Sequence, residues 1–128
     1  MRKFIPTHWH AIMDYLLVLI LLGGPWLSGF DDVPAATKVS MWSAAAIAGL
    51  SIFTCNEGGI VRVIPMNIHL ILDIFLGVFL ILSPFIFGFS AEVYTFHMLM
   101  GFIILGSGIF TRTSVKKRRP PVPVGRRT

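Results

Sequence analysis

The chain has 128 residues, 55% of them hydrophobic and only 13% charged, with a mean hydropathy of +0.78 and a formal charge of +5. A soluble domain of this length has no interior large enough to hide so much apolar surface, so the composition excludes an ordinary water-soluble globule and points to an integral membrane protein. The basic residues sit at the two ends and in one loop rather than over a face, which argues against a nucleic-acid surface and fits a topology signal.

The N-terminal Met1-Arg2-Lys3-Phe4 precedes an apolar run, as in a secretory leader. No small-residue cleavage pattern follows and the segment recurs later, so it is expected to be mature structure. The first span is predicted from about His10 to Phe30 and the second from about Thr37 to Phe53. The third runs from about Met66 to Phe89 and the fourth from about Val93 to Thr111. Each approaches the roughly 20 residues that cross a hydrocarbon core, and only helices satisfy their own backbone groups there. Prolines 25 and 84 fall late in the first and third spans and are expected to end or kink them, with Gly29 and Gly88 supplying the turns. Ten of the eleven Lys and Arg residues fall on one side of this layout: Arg2, Lys3, Arg62 and the seven from Arg112 onward. The positive-inside rule then places both termini in the cytoplasm. Residues 114–128 form a basic, proline-rich tail, expected to be extended and to lie on anionic lipid.

The strongest signal is an internal repeat. Residues 4–30, FIPTHWHAIMDYLLVLILLGGPWLSGF, align without a gap on residues 63–89, VIPMNIHLILDIFLGVFLILSPFIFGF, at an offset of 59 with ten identities in 27 positions. The identities include Pro6 and Pro65, His10 and His69, Asp14 and Asp73, Pro25 and Pro84, and Gly29-Phe30 and Gly88-Phe89. Ile52-Phe53-Thr54 matches Ile109-Phe110-Thr111 at an offset of 57, which predicts a second outer loop two residues shorter than the first. Each repeat has two spans, so both point the same way and are related by a pseudo-two-fold axis along the membrane normal. The expected fold is all-α: a four-helix membrane bundle of two tandem helical hairpins. Residues 1–113 form the transmembrane domain, with repeat one at about 4–54 and repeat two at about 63–113.

Pro25-Trp26 with Gly29-Phe30, echoed by Ser83-Pro84-Phe85 with Gly88-Phe89, resembles the SPW-repeat family of small bacterial integral membrane proteins. In that family a Ser-Pro-Trp signature closes the first helix of a two-span unit. Two such units cover the chain to about Thr113, although repeat one has Gly24 in place of Ser and repeat two has Phe85 in place of Trp. The resemblance implies a small multi-pass protein of the bacterial inner membrane and carries no activity with it.

His10 and Asp14, and again His69 and Asp73, are spaced i, i+4, which puts imidazole and carboxylate on one helix face. Carboxylates inside a membrane are costly and usually face the bundle interior with a partner. If the first and third spans are neighbours, four titratable groups converge. The cluster could relay protons, since imidazole changes charge near neutral pH. It could bind a divalent metal through two imidazoles and two carboxylates, or a haem through two histidines. A purely structural reading stands beside these: each Asp accepts from its own-helix His or from Trp9, Tyr15, Asn67 or a backbone group. His8 and His97 read as interfacial hydrogen-bonders, and Cys55, the only cysteine, as inert. Ala45 and Gly49 form a small-xxx-small pair expected to pack the bundle interior, with a partner subunit as the other option. Trp26, Trp42, Phe30, Phe85, Phe89 and Tyr94 read as an aromatic belt at the outer interface.

The chain has no Gly-rich phosphate loop and no nucleophile–base arrangement. The expectation is a non-enzymatic, cofactor-free structural or accessory subunit of a membrane assembly. Its partners would be the bilayer and other membrane subunits or further copies of itself. The alternative is a proton- or metal-handling protein that uses the His/Asp cluster.

Overall fold

The computed structural model describes residues 2–113, so the basic tail of residues 114–128 lies outside the described residues. Four helices follow in order: α1 Thr7–Leu27, α2 Pro34–Phe53, α3 Met66–Ile86 and α4 Thr95–Phe110. α1, α2 and α3, at 21, 20 and 21 residues, are long and apolar enough to cross a membrane; α4 has 16. At 1.5 Å per residue α4 is about 24 Å long, short of a hydrocarbon core of about 30 Å. Side chains such as Leu19, Leu27, Phe75 and Trp42 point outward, more than three-fifths exposed. A surface so apolar belongs in lipid. The molecule is a multi-pass helical membrane bundle.

The two hairpins follow the repeat. Pro6 and Pro65 stand just before α1 and α3 with extended backbone (φ −66° and −60°), and their carbonyls accept the first intrahelical bonds, from the amides of His10 and His69. Proline thus sets the register that places each imidazole one turn inside its helix. The repeat-related pairs Leu21 with Leu80 and Ile47 with Ile104 are at most 2% exposed and form the middle of the core.

The second hairpin is the tighter. A Cβ added to Gly77 would lie 2.7 Å from the Leu105 amide nitrogen, and one added to Gly101 would lie 2.7 Å from the Gly77 carbonyl. The counterparts in repeat one are Val18 and Ala44, so α1 and α2 cannot approach as closely.

The hairpin turns correct two expectations. Neither proline ends its helix: α1 continues two residues past Pro25 and α3 two past Pro84. A proline leaves the carbonyl four residues back without a donor, and in lipid that group needs a partner. The Leu21 carbonyl is taken by the Ser40 hydroxyl from α2 at 2.6 Å, and the Leu80 carbonyl by the Ser83 hydroxyl at 2.8 Å. The helices then close at Gly29 and Gly88, with φ +70° and +72°. The amides of Phe30 and Phe89 reach back to the carbonyls of Pro25 and Pro84, which is the six-to-one bond of a Schellman cap. Phe30 and Phe89 are consequently core residues, 3% and 2% exposed, and not members of an interfacial belt, whereas Trp26, Trp42, Phe85 and Tyr94 are exposed.

The second correction concerns length. The segment after Phe89 is two residues shorter than its counterpart, but the loss falls on the helix. α4 is four residues shorter than α2, and its preceding loop (87–94) is longer than the first (28–33). Pro34 starts α2 at its first position, while repeat two has Ala91 at the equivalent place.

The two repeats are also laced at the end that carries the termini. Ile5 pairs with Thr111 and Ile64 with Thr54 as short parallel bridges. The bonds from Arg112 N to Ile5 O (2.9 Å) and from Cys55 N to Ile64 O (2.8 Å) hold these crossings.

Candidate functional site

The bridges place Thr54 and Thr111 beside the first turns of α3 and α1, and there the four predicted site residues meet. His10, Asp14, His69 and Asp73 are at most 2% exposed. The two imidazole Nε2 atoms are 3.2 Å apart. His10 Nε2 lies 3.3 Å from Asp14 Oδ2 and 3.0 Å from Asp73 Oδ2. His69 Nε2 lies 3.0 Å from Asp14 Oδ2 and 3.1 Å from Asp73 Oδ2. Each imidazole therefore touches the carboxylate of the other repeat as closely as its own.

The outer nitrogens fix the rings. The Thr111 hydroxyl donates to the Ser107 carbonyl at 2.6 Å, and the Thr54 hydroxyl donates to the Leu50 carbonyl. Each threonine oxygen is left to accept, from His10 Nδ1–H at 2.8 Å and from His69 Nδ1–H at 2.6 Å. Nδ1 carries the proton in both rings, so both Nε2 atoms turn to the centre. Each acceptor comes from the opposite repeat, Thr111 for His10 and Thr54 for His69.

The carboxylates are not equivalent. Asp14 Oδ2 accepts from the Ser51 hydroxyl at 2.9 Å. The counterpart of Ser51 is Gly108, where a Cβ would come within 3.0 Å of the Leu70 carbonyl and 3.2 Å of Asp73 Cβ. α4 runs close enough to α3 there that a serine would fit only if its neighbours gave by a few tenths of an ångström. Neither oxygen of Asp73 has a hydrogen-bond partner among the described residues: the imidazole Nε2 atoms 3.0 and 3.1 Å from Oδ2 carry no proton when Nδ1 does.

All four cluster residues predicted from sequence are thus brought together. Of the partners proposed for the carboxylates, the own-helix imidazoles lie 3.3 and 3.1 Å away, whereas Tyr15 donates to the Gly58 carbonyl at 2.6 Å and Trp9 and Asn67 are exposed. A bis-histidine haem does not fit, since rings whose Nε2 atoms are 3.2 Å apart leave no room for a porphyrin between them. His8 is exposed, and Cys55 lies outside the cluster. His97 is fully buried at the opposite end of the bundle, not interfacial; its Nε2–H donates to the Ala36 carbonyl at 3.0 Å and its ring packs on Phe30 and Phe89. The residues missed were Ser51, Thr54 and Thr111. The repeated Ile-Phe-Thr carried the signal for the two threonines.

Chemically, the cluster offers two lone-pair nitrogens and two carboxylates around one enclosed point, an arrangement suited to a small cation. A search of curated proteins and one of solved structures each return no match. The model of the SPW repeat domain matches residues 8–111, which span both hairpins, all four cluster residues and both Pro-to-Gly turns. The chain therefore belongs to the SPW repeat domain family.

Proposed function

We propose that this protein is a non-catalytic subunit of a membrane assembly that receives a transmembrane helix of a partner subunit in the groove between α2 and α3. One observation carries the reading: two faces that the repeat makes equivalent are built differently. Between α4 and α1, Phe96 lies over Gly24 so closely that a Cβ there would be 2.2 Å from its ring. Between α2 and α3 the position of Phe96 is taken by Val39, which leaves a groove beside it. A groove of about 680 Å³ runs past Val39, Trp42 and Phe79, and a second of about 580 Å³ continues it past Ala45, Ala46 and Gly49. The small-xxx-small pair Ala45 and Gly49 lines this groove and does not pack the interior. Such pairs let a neighbouring helix approach closely in lipid, where apolar burial gives little drive.

No catalysis belongs to this reading. The cluster is enclosed, and the grooves at Val39, at Ala45 and at Cys55 are lined by other side chains. The bacterial inner membrane is the proposed location, on the family resemblance. Both termini are proposed to face the cytoplasm, on the side bearing Arg2, Lys3, Arg62 and Arg112. The tail of residues 114–128 is proposed to bind anionic lipid.

The test is site-specific photo-crosslinking in native membranes from position 46, with its repeat counterpart Ile103 as control, and co-purification in mild detergent. The expected result is one stoichiometric membrane partner, cross-linked from 46 and not from 103, and lost on Val39→Phe. Lipid adducts alone, a second copy of the chain, or equal labelling at both positions would overturn it. A C-terminal reporter that scores as periplasmic would overturn the orientation.

A further inference from the structure

We propose that His10, Asp14, His69 and Asp73 form a tetrahedral binding site for one divalent transition-metal ion of the size of zinc. The inference goes beyond the docking reading and does not depend on it.

Geometry comes first. Five of the six distances among the two Nε2 and two Oδ2 atoms lie between 3.0 and 3.3 Å, and the sixth, between the carboxylates, is within 4.8 Å. A regular tetrahedron with edges of about 3.2 Å has its centre about 2 Å from each vertex, the length of zinc–imidazole and zinc–carboxylate bonds of roughly 2.0–2.2 Å, so a bound ion would hold the carboxylate–carboxylate edge near the other five. Calcium needs six to eight oxygens at about 2.3–2.6 Å, and magnesium an octahedron that keeps its waters. Four ligands, two of them nitrogen, in a space this small select against both. Nitrogen and carboxylate donors without thiolate suit zinc and its neighbours in the first transition row.

The donor atoms are also presented for coordination. The Nδ1–H groups are tied to Thr111 and Thr54, whose own hydrogens are spent on Ser107 and Leu50. Such second-shell bonds orient metal-bound imidazoles. Ser51 steadies Asp14, while Asp73, 1% exposed, turns toward the imidazoles with no hydrogen bond to either oxygen. A buried carboxylate with no hydrogen-bond donor is costly in an apolar interior unless a cation meets it. One divalent ion balances the two carboxylates, and the coordination bonds would join α1 to α3 across the repeat axis.

The test uses the full chain, carrying a tag free of histidine, purified in mild detergent. Elemental analysis is expected to give one zinc per chain. After chelation, cobalt(II) should restore one equivalent with the intense visible bands of a tetrahedral centre, and calcium or magnesium in large excess should not compete. Asp73→Asn should weaken zinc at least about 100-fold, and Thr111→Val about 10- to 100-fold as a lost second-shell partner. If Asp73→Asn does not fold, the wild-type cobalt spectrum and Thr111→Val decide. Folded wild-type protein that takes up neither ion, a weak octahedral cobalt spectrum, or affinity unchanged in both variants would overturn the site. Zinc bound by a chain that co-purifies with nothing upholds the site and removes the docking reading; a stoichiometric partner without metal does the reverse.

Discussion

The serine before Pro84 gives the sharpest test of how the fold tolerates a proline inside a membrane helix. Ser83→Ala removes the hydroxyl that reaches the Leu80 carbonyl at 2.8 Å, in a side chain 0% exposed. Pro84 supplies no amide to that carbonyl, so the substitution leaves it unsatisfied in a dry interior. The cost should be about 1–2 kcal/mol, between the averages for membrane hydrogen bonds and the penalty for a stranded acceptor. That is roughly a 5- to 30-fold change in the unfolding equilibrium. In a Pro84→Ala background the alanine amide bonds Leu80 in the ordinary helical way, and Ser83→Ala should cost less than about 0.5 kcal/mol. The double-mutant cycle therefore predicts a coupling of about 1 kcal/mol between adjacent residues. Reversible unfolding in mixed micelles, followed by far-UV circular dichroism, reads all four corners. An equal cost of Ser83→Ala in both backgrounds, or none with Pro84 present, would refute the reasoning.

Three further outcomes follow from other contacts. Gly101→Ala must push α3 from α4, since its Cβ would meet the Gly77 carbonyl at 2.7 Å. It should cost about 1–3 kcal/mol, while Gly106→Ala, with nothing within 4 Å, should be neutral in the same unfolding assay. Gly88→Ala has open space but a φ of +72°, so thermal melting should show a loss of about 1 kcal/mol from backbone conformation alone. Ser40→Ala strands the Leu21 carbonyl, as Ser83→Ala strands that of Leu80; micelle unfolding should show a similar loss of about 1–2 kcal/mol, relieved by Pro25→Ala.

Much of this was legible in the sequence because the repeat brackets the residues that matter. The offset of 59 pairs His10 with His69 and Asp14 with Asp73, and costly polar groups kept twice in apolar helices must meet inside. The threonine acceptors were not legible, because each serves the imidazole of the other repeat, a relation that spacing along one chain does not express. Pro84 misled for a physical reason: its cost is largely the stranded carbonyl, and a neighbouring hydroxyl removes it. Ala45 and Gly49 misled because small residues fit an interior and an open groove alike. The inner face of α2 is instead Ala36, Ser40, Ala44, Ile47 and Ser51.

The bridges that tie Ile5 to Thr111 and Thr54 to Ile64 bring the start of the first hairpin to the end of the second in the way the hairpins are joined internally. The order of the hairpins is then a matter of where the ring is cut. A permuted gene, opened in the turn near Gly58 and joined by a short linker from Thr113 to Phe4, should encode α3-α4-α1-α2 with the same cluster. A single hairpin could not do so alone, since Thr54 and His69 would need two chains. The two hairpins thus meet as the halves of a dimer would, but within one polypeptide, so that each can differ from the other where Phe96 faces Gly24 and Val39 leaves a groove.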